Sequence, residues 1–250
     1  MIVAVIGKGG VGKTTVAALL LRRLIEGGET PVLAIDADPS SCLGAALGLG
    51  VDKTLADARD GLREGERPAS MSSAEWLALG TEEAIVESAG FDLLTMGHPE
   101  GKRCYCFVNN LIRERLDRLA RAYRHVLLDC EAGLEHLSRR TAGRPDALVC
   151  VTNRSRMGAQ TIARALALYK NLHGELPDAT DLVLNQFDAD EPLAAEMQAL
   201  ASGGATRFRR VLVVPADPQV AAAEASGRAL LDLDPATPAL AALRAWEVRA

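Results

Sequence analysis

The sequence predicts an α/β protein: a single domain built on a mainly parallel β-sheet with helices on both faces. Three observations predict it. Short apolar runs recur along the chain without the alternation of a half-exposed strand, as strands buried on both faces should. Helical-looking stretches separate these runs, the sequence mark of strand–helix–strand units. Glycine or polar residues stand where the runs end, at Gly7, Asp36, Asp129, Thr152, Asn185 and Pro215. In open α/β sheets that edge is where ligands bind.

In chain order, a strand over Ile2 to Ile6 feeds a helix over Thr14 to Glu26, and Val32 to Ile35 forms the second strand. Residues 49–90 are polar and charged, show no clear strand and carry Trp76, one of 2 tryptophans. They are expected to form a helical excursion packed on the sheet edge; a docking surface for a partner is the sharper alternative. Asp92 to Met96 resumes the sheet, followed by a helix over Asn109 to Ala122 and a strand at Val126 to Leu128. Strands at Ala147 to Val151, Leu182 to Leu184 and Val211 to Val214 alternate with helices over Ala159 to Leu172 and Glu191 to Leu200. A helix with one apolar side, Pro238 to Ala250, ends the chain, and residues 1–250 are expected to be one domain.

Composition excludes several function classes. The 33 acidic against 28 basic residues give a net charge of −5, the wrong sign for a nucleic-acid binder. No apolar run approaches the ~18 residues of a membrane span, and the N-terminus lacks a basic leader or a cleavage site. The C-terminal helix carries only Arg244 and Arg249 as basic residues, poor support for membrane attachment. The 5 cysteines are an odd number in a chain too large to need a disulfide scaffold, which points to reduced thiols in the cytoplasm.

Gly7-Lys8-Gly9-Gly10-Val11-Gly12-Lys13-Thr14-Thr15 lies between the first strand and the first helix. Glycines there let backbone N–H groups approach phosphate oxygens, and the helix N-terminus favours negative charge. In this phosphate-loop pattern Lys13 reaches the β- and γ-phosphates and the Thr14 hydroxyl binds Mg²⁺. The second lysine, Lys8, resembles the deviant Walker A motif of the Min/Par/nitrogenase-iron-protein class of dimeric P-loop ATPases. The resemblance implies that Lys8 contacts nucleotide across a dimer interface, that Asp38 positions the attacking water and that Asp36 belongs to the Mg²⁺ shell. Asp129 would hold Mg²⁺ through water and Gly133 would sense the γ-phosphate. Asn185 and Pro215 would border the base. Gln186 stands where the Asn-Lys-x-Asp arrangement of GTPases has lysine, so ATP and ADP are the expected nucleotides.

Cys104-Tyr105-Cys106 is the second constellation. On an extended segment residues two apart face the same side, so both sulfurs reach one ion, and a symmetric dimer would supply four. Lys102, Arg103 and the helix that follows favour the thiolates. Gly101 to Cys106, Asn110-Leu111-Ile112-Arg113, and Asp129 through Arg140 with its Glu-His-Leu-Ser-Arg-Arg segment resemble the CooC family of nickel-insertion ATPases that serve carbon monoxide dehydrogenase. That resemblance implies a cytoplasmic homodimer holding one Ni²⁺ or Zn²⁺ between paired Cys104 and Cys106, with a client metalloenzyme as partner and no nucleic acid or membrane. Phe107-Val108 depart from the Pro-Glu that family members often carry there. Cys150 reads as core and Cys42 as a helix start, while His98 and His136 lack ligand spacing. Two alternatives remain open: an electron-donor ATPase with a dimer-bridging iron–sulfur cluster, and a MinD/ParA-like positioning ATPase.

Overall fold

A computed structural model describes residues 1–98, 106–131, 144–187, 195–202 and 208–248, with the backbone alone for 106–111, 113 and 196. Eight strands are described: β1 (Ile2–Gly7), β2 (Val32–Ala37), β3 (Ile85–Ser88), β4 (Phe91–Thr95), β5 (His125–Cys130), β6 (Ala147–Thr152), β7 (Ala179–Asn185) and β8 (Arg210–Val214). They form one sheet in the order β3-β4-β2-β5-β1-β6-β7-β8. Every pairing is parallel except β3 with β4. The parallel sheet with covering helices is the fold the sequence predicts.

The helices are α1 (Lys13–Glu26), α2 (Leu43–Leu47), α3 (Leu55–Glu64), α4 (Ser73–Glu83), α5 (Cys106–Ala120), α6 (Arg156–His173), α7 (Ala195–Ala201), α8 (Pro218–Ser226) and α9 (Pro238–Leu243). Successive strand residues point to opposite faces, so each strand contributes to two cores. Val3 and Val5 join Leu19, Leu20 and Leu43 under α1, α2, α8 and α9. Ala4 and Ile6 join Leu77, Leu116, Ile162 and Tyr169 under α3 to α7. The inner strands β1, β2, β5 and β6 carry unbroken apolar runs because neither face meets water, whereas β8, expected to be buried on both faces, is an edge strand that leaves Val211 and Val213 exposed.

Residues 49–90 correct the expectation of an excursion without a strand. They form α3 and α4 as expected, then β3, whose four residues pair antiparallel with β4 across a tight turn at Gly90 (φ 86°). β3 lies at the sheet edge and none of its residues is fully buried, so no apolar run announces it. α4 packs against α5, and Arg115 pairs with Glu82 across that contact. The C-terminal helix is shorter than expected, ending at Leu243, although Trp246 beyond it is also core.

Candidate nucleotide site

The chain runs outwards on both sides of β1, through β2 and β4 in one direction and through β6, β7 and β8 in the other. This switch point brings the ends of β2, β5 and β1 side by side. The loop after β1 is built for close approach. A Cβ on Gly7 would come within 2.2 Å of the Val151 carbonyl on β6, and Gly10 (φ 78°) and Gly12 (φ 85°) adopt backbone that disfavours other residues.

Gly12 stands at the N-cap of α1 and offers no side chain to cap it. The first intrahelical bond in this turn runs from Val16 N–H to the Gly12 carbonyl at 2.9 Å. The N–H groups of Lys13, Thr14 and Thr15 therefore have no intrahelical acceptor, and they converge with the positive end of the helix dipole. Lys13 is 6% exposed, and its ammonium donates to the Lys8 carbonyl at 3.5 Å, folding back over the loop it serves. This arrangement suits a polyphosphate.

The switch aspartates sit beside it. Asp36 and Asp129 are register partners on β2 and β5, and both are fully buried. Asp36 accepts from Leu43 N–H at 2.8 Å and from Asp38 N–H at 3.2 Å, so it caps α2 and orders the segment after β2. Burial still pushes its carboxyl up to about 6, against the pull of those two backbone bonds. Among the described residues neither oxygen of Asp129 has a hydrogen-bond partner in good geometry, although the Thr14 hydroxyl lies near enough to act on it. Burial pushes it up to about 7, and Asp36 and Asp38 add to that, while the Thr14 hydroxyl and Lys13 pull the other way. A buried carboxylate with two unsatisfied oxygens, next to a second carboxylate and a hydroxyl, is the hard oxygen set that Mg²⁺ prefers. Thr14, Asp36 and Asp129 thus fit the ion. Asp38 lies at the mouth, where its carboxylate accepts from Ser40 N–H at 2.9 Å.

Asn185 and Pro215 border a cavity of about 370 Å³ on the opposite side of the loop. Asn185 does more than line it. Its amide donates to the Val11 carbonyl at 2.9 Å and packs so tightly that a Cβ on Gly12 would meet it at 2.3 Å. Next to it Gln186 holds φ 60°, and Phe187 N–H donates to the Val214 carbonyl, tying the loops after β7 and β8 together.

Of this cavity, sequence reasoning placed Asp217 at the strand end beside the base but missed its capping role, and it missed Glu224 altogether. Asp217 accepts from Gln219 N–H and Ala239 N–H, both at 2.9 Å, so one carboxylate caps α8 and steers the start of α9. Glu224 on α8 accepts from the Thr15 hydroxyl at 2.6 Å. A Pro just after the Asp signals the first; Glu224, in an alanine-rich helix, carries no motif.

Of the thiols, Cys104 lies outside the described residues, and Cys106 is the first residue of α5 with its side chain undescribed. Gly133 and His136 also lie outside them. Cys130 and Cys150 are buried in the sheet, and burial pushes both thiols far up, which keeps them protonated. Cys42 starts α2 as expected, beside the carboxylates that also raise its thiol.

Comparison with known proteins brings in relatives. The family model described as the CobQ/CobB/MinD/ParA nucleotide binding domain matches residues 2–231. An uncharacterized ATP-binding protein of Methanocaldococcus jannaschii is 43% identical over 182 residues, 71% of this chain and 72% of that protein. The carbon monoxide dehydrogenase accessory protein CooC of Rhodospirillum rubrum is 31% identical over 94% of this chain and 91% of its own. Among solved structures, a ParA family ATPase from Chlorobium tepidum matches with TM-score 0.68 at 20% identity, covering 98% of this chain and 97% of that one. The Mg-ADP complex of the septum site-determining protein MinD from Pyrococcus horikoshii matches at 0.66 and 22%, covering 97% and 92%. At such identities the structural likeness establishes the fold.

Proposed function

This chain belongs to the CobQ/CobB/MinD/ParA nucleotide-binding family, and from that premise we propose that it is a homodimeric metallochaperone, driven by ATP, that carries Ni²⁺ or Zn²⁺ to carbon monoxide dehydrogenase or a related metalloenzyme. The coarser statement is firm: it is an ATPase of the MinD/ParA class. The finer one rests on a single observation. The similarity to the carbon monoxide dehydrogenase accessory protein runs through 94% of this chain, the span that contains the Cys104 and Cys106 pair.

The chain's own residues divide the work as follows. The N–H groups at the start of α1 and the Lys13 ammonium cradle the polyphosphate and stabilise charge on the transferring phosphoryl group. Thr14, Asp36 and Asp129 would hold Mg²⁺, which when bound neutralises phosphate charge. Asp38 orients the attacking water, and Lys8 reaches nucleotide across the dimer. Cys104 and Cys106 of each protomer give four thiolates around one ion on the two-fold axis, a set that exists only in the dimer.

Metal titration with mass measurement tests this. The reading expects one Ni²⁺ or Zn²⁺ per dimer, binding that strengthens dimerisation by mass action, and binding that weakens as pH falls and thiolates protonate. The Cys104→Ala, Cys106→Ala double variant should lose tight metal and keep ATP affinity. Saturation at one ion per chain, or unchanged affinity in the double variant, overturns it. Broad visible absorption with acid-labile sulfide would replace it with the iron–sulfur alternative.

A further inference from the structure

We propose that a cavity between α3 and α4 docks an arginine side chain presented by a partner protein. The cavity measures about 380 Å³ and shares no lining residue with the nucleotide cavity. Its shape follows from the residues at the helix contact. The two helices close tightly at one point, where a Cβ on Gly80 would meet the Ala58 Cβ at 2.2 Å. One turn earlier on α4, Trp76 stands between them. Its indole N–H donates to the Ala58 carbonyl at 2.7 Å, which fixes the ring as a half-buried wall. Gly61 on α3 leaves room for that ring and for the Glu66 carboxylate together. A single Cβ placed on Gly61 would sit 2.6 Å from Glu66 Oε2 and 3.1 Å from Trp76 Cζ2.

The walls select the occupant by charge. Four carboxylates, Asp52, Asp57, Glu66 and Glu83, border the cavity against one ammonium, Lys53. Lys53 is paired with Glu83 at 2.8 Å, and Asp57 closes the cap of α3. That leaves Asp52 and Glu66 to receive a donor, with the indole beside Glu66. A guanidinium is planar, stacks on aromatic rings and forks its N–H groups onto carboxylates, which a lysine ammonium does less well. Free arginine suits the cavity less than a residue in a polypeptide, because its own carboxylate would meet the acidic rim. Leu79, 43% exposed on the same rim, offers apolar surface to the residues flanking the arginine. The position gives the contact a use. α4 packs on α5, which begins at Cys106, and Ala56 N–H on α3 donates to the Met96 carbonyl just past β4. A partner seated here touches the helices that hold the chain on either side of Cys104.

The inference goes beyond the metallochaperone reading and does not depend on it. Magnetic resonance on the full chain tests it, following the Trp76 indole N–H during titration with capped Gly-Arg-Gly, Gly-Lys-Gly and Gly-citrulline-Gly peptides. Citrulline keeps the shape of arginine and removes its charge. The arginine peptide should shift the resonance saturably and bind about tenfold or more tighter than the citrulline peptide, the range for hydrogen bonds to charged groups. It should also bind tighter than the lysine peptide, and its affinity should fall as salt rises. The Asp52→Asn, Glu66→Gln double variant changes two exposed side chains at constant size, and should bind the arginine peptide no better than the citrulline one. Equal affinity for arginine and citrulline, or unchanged arginine affinity in the double variant, overturns the proposal. Equal binding of the lysine peptide overturns the choice of arginine. Tighter binding of free arginine than of the capped peptide would make the cavity a small-molecule site and overturn docking. ATP affinity and metal stoichiometry should be the same in the double variant, so failure here is distinct from failure of the proposed cargo.

Discussion

Helices α1 and α3 begin in opposite ways, and the contrast separates what this chain does from what merely folds it. Thr54 accepts from Asp57 N–H at the start of α3 while the Asp57 carboxylate accepts from Thr54 N–H, a closed capping box. Ser72 and Glu75 repeat it at α4. α1 starts on Gly12, with no side-chain cap and no acidic residue in its first turn. A helix N-terminus leaves its first N–H groups without intrahelical partners, so those groups must find an acceptor. In α3 and α4 the sequence supplies one locally. In α1 it is withheld, and Lys13 is added beside it, which leaves the anion to come from a ligand. The two carboxylates repeat the lesson: among the described residues Asp36 has two backbone donors and Asp129 has none.

Removing the cation from the open end should have the largest effect. Lys13→Ala should weaken ATP binding by about a hundredfold or more, since it deletes the buried charge that offsets the phosphates. Lys8→Ala and Asp38→Ala should instead spare binding and lower hydrolysis and nucleotide-dependent dimerisation by a comparable factor. Calorimetry beside a phosphate-release assay separates the two classes. Full turnover by Lys8→Ala would remove the trans role assigned to that lysine.

Asp129 sharpens the contrast from the stability side. Its folded carboxyl is pushed up to about 7 and that of Asp36 to about 6, above the unfolded carboxylate value near 4. The folded chain then holds protons that the unfolded chain releases. These two groups therefore favour folding most at low pH, and their contribution is lost as pH rises from about 4 to about 7. Without nucleotide or Mg²⁺, Asp129→Asn should raise the melting temperature at pH 8 and show little gain at pH 5, while abolishing hydrolysis. A melting temperature at pH 8 that drops on this substitution would mean that Asp129 is satisfied in the apo protein after all.

The loop geometry comes next in size. Gly12→Ala puts a Cβ into Asn185 at backbone φ 85°, and should cost roughly 1–3 kcal/mol of stability along with nucleotide affinity. Asn185→Ala removes the obstacle and the bond to Val11, so the double variant should regain stability relative to Gly12→Ala alone in a denaturation cycle. Strict additivity would place the Gly12 effect in its dihedral rather than in the contact.

The sheet and the phosphate loop were legible because both are written locally. Unbroken runs such as Val126-Leu127-Leu128 need no partner to be recognised, and Lys13 and Thr14 follow their glycines directly. What the sequence hid depends on distant chain. β3 exists because β4 offers it a hydrogen-bonding edge, and Ile85–Ser88 alone carries no buried face. Glu224 meets Thr15 across 209 positions, and Asn185 meets Val11 across 174, so neither bond leaves a spacing to read. Asn185 was read for the base, and its clamp on the loop was invisible for the same reason.

The smallest effect belongs to the closed ends. Thr54→Ala and Ser72→Ala each delete a cap from α3 or α4, and each should cost about 1 kcal/mol by chemical denaturation. Neither residue approaches the nucleotide cavity, so ATP affinity should stay within about twofold of the wild type. The reason is physical: a cap is a local bond whose loss frays one turn, and the core under α4 is held by Leu77, which is 1% exposed. The α3 cap has one added feature, for Ala56 N–H donates to the Met96 carbonyl while Met96 N–H donates to the Asp36 carbonyl. Fraying α3 therefore tugs on the strand end that carries the switch carboxylate, whereas fraying α4 does not. If Thr54→Ala lowers ATP hydrolysis and Ser72→Ala does not, at equal loss of stability, the excursion is coupled to the site through Met96. If both leave hydrolysis alone, α3 and α4 serve the nucleotide site through folding only, and the division between closed and open helix ends is complete.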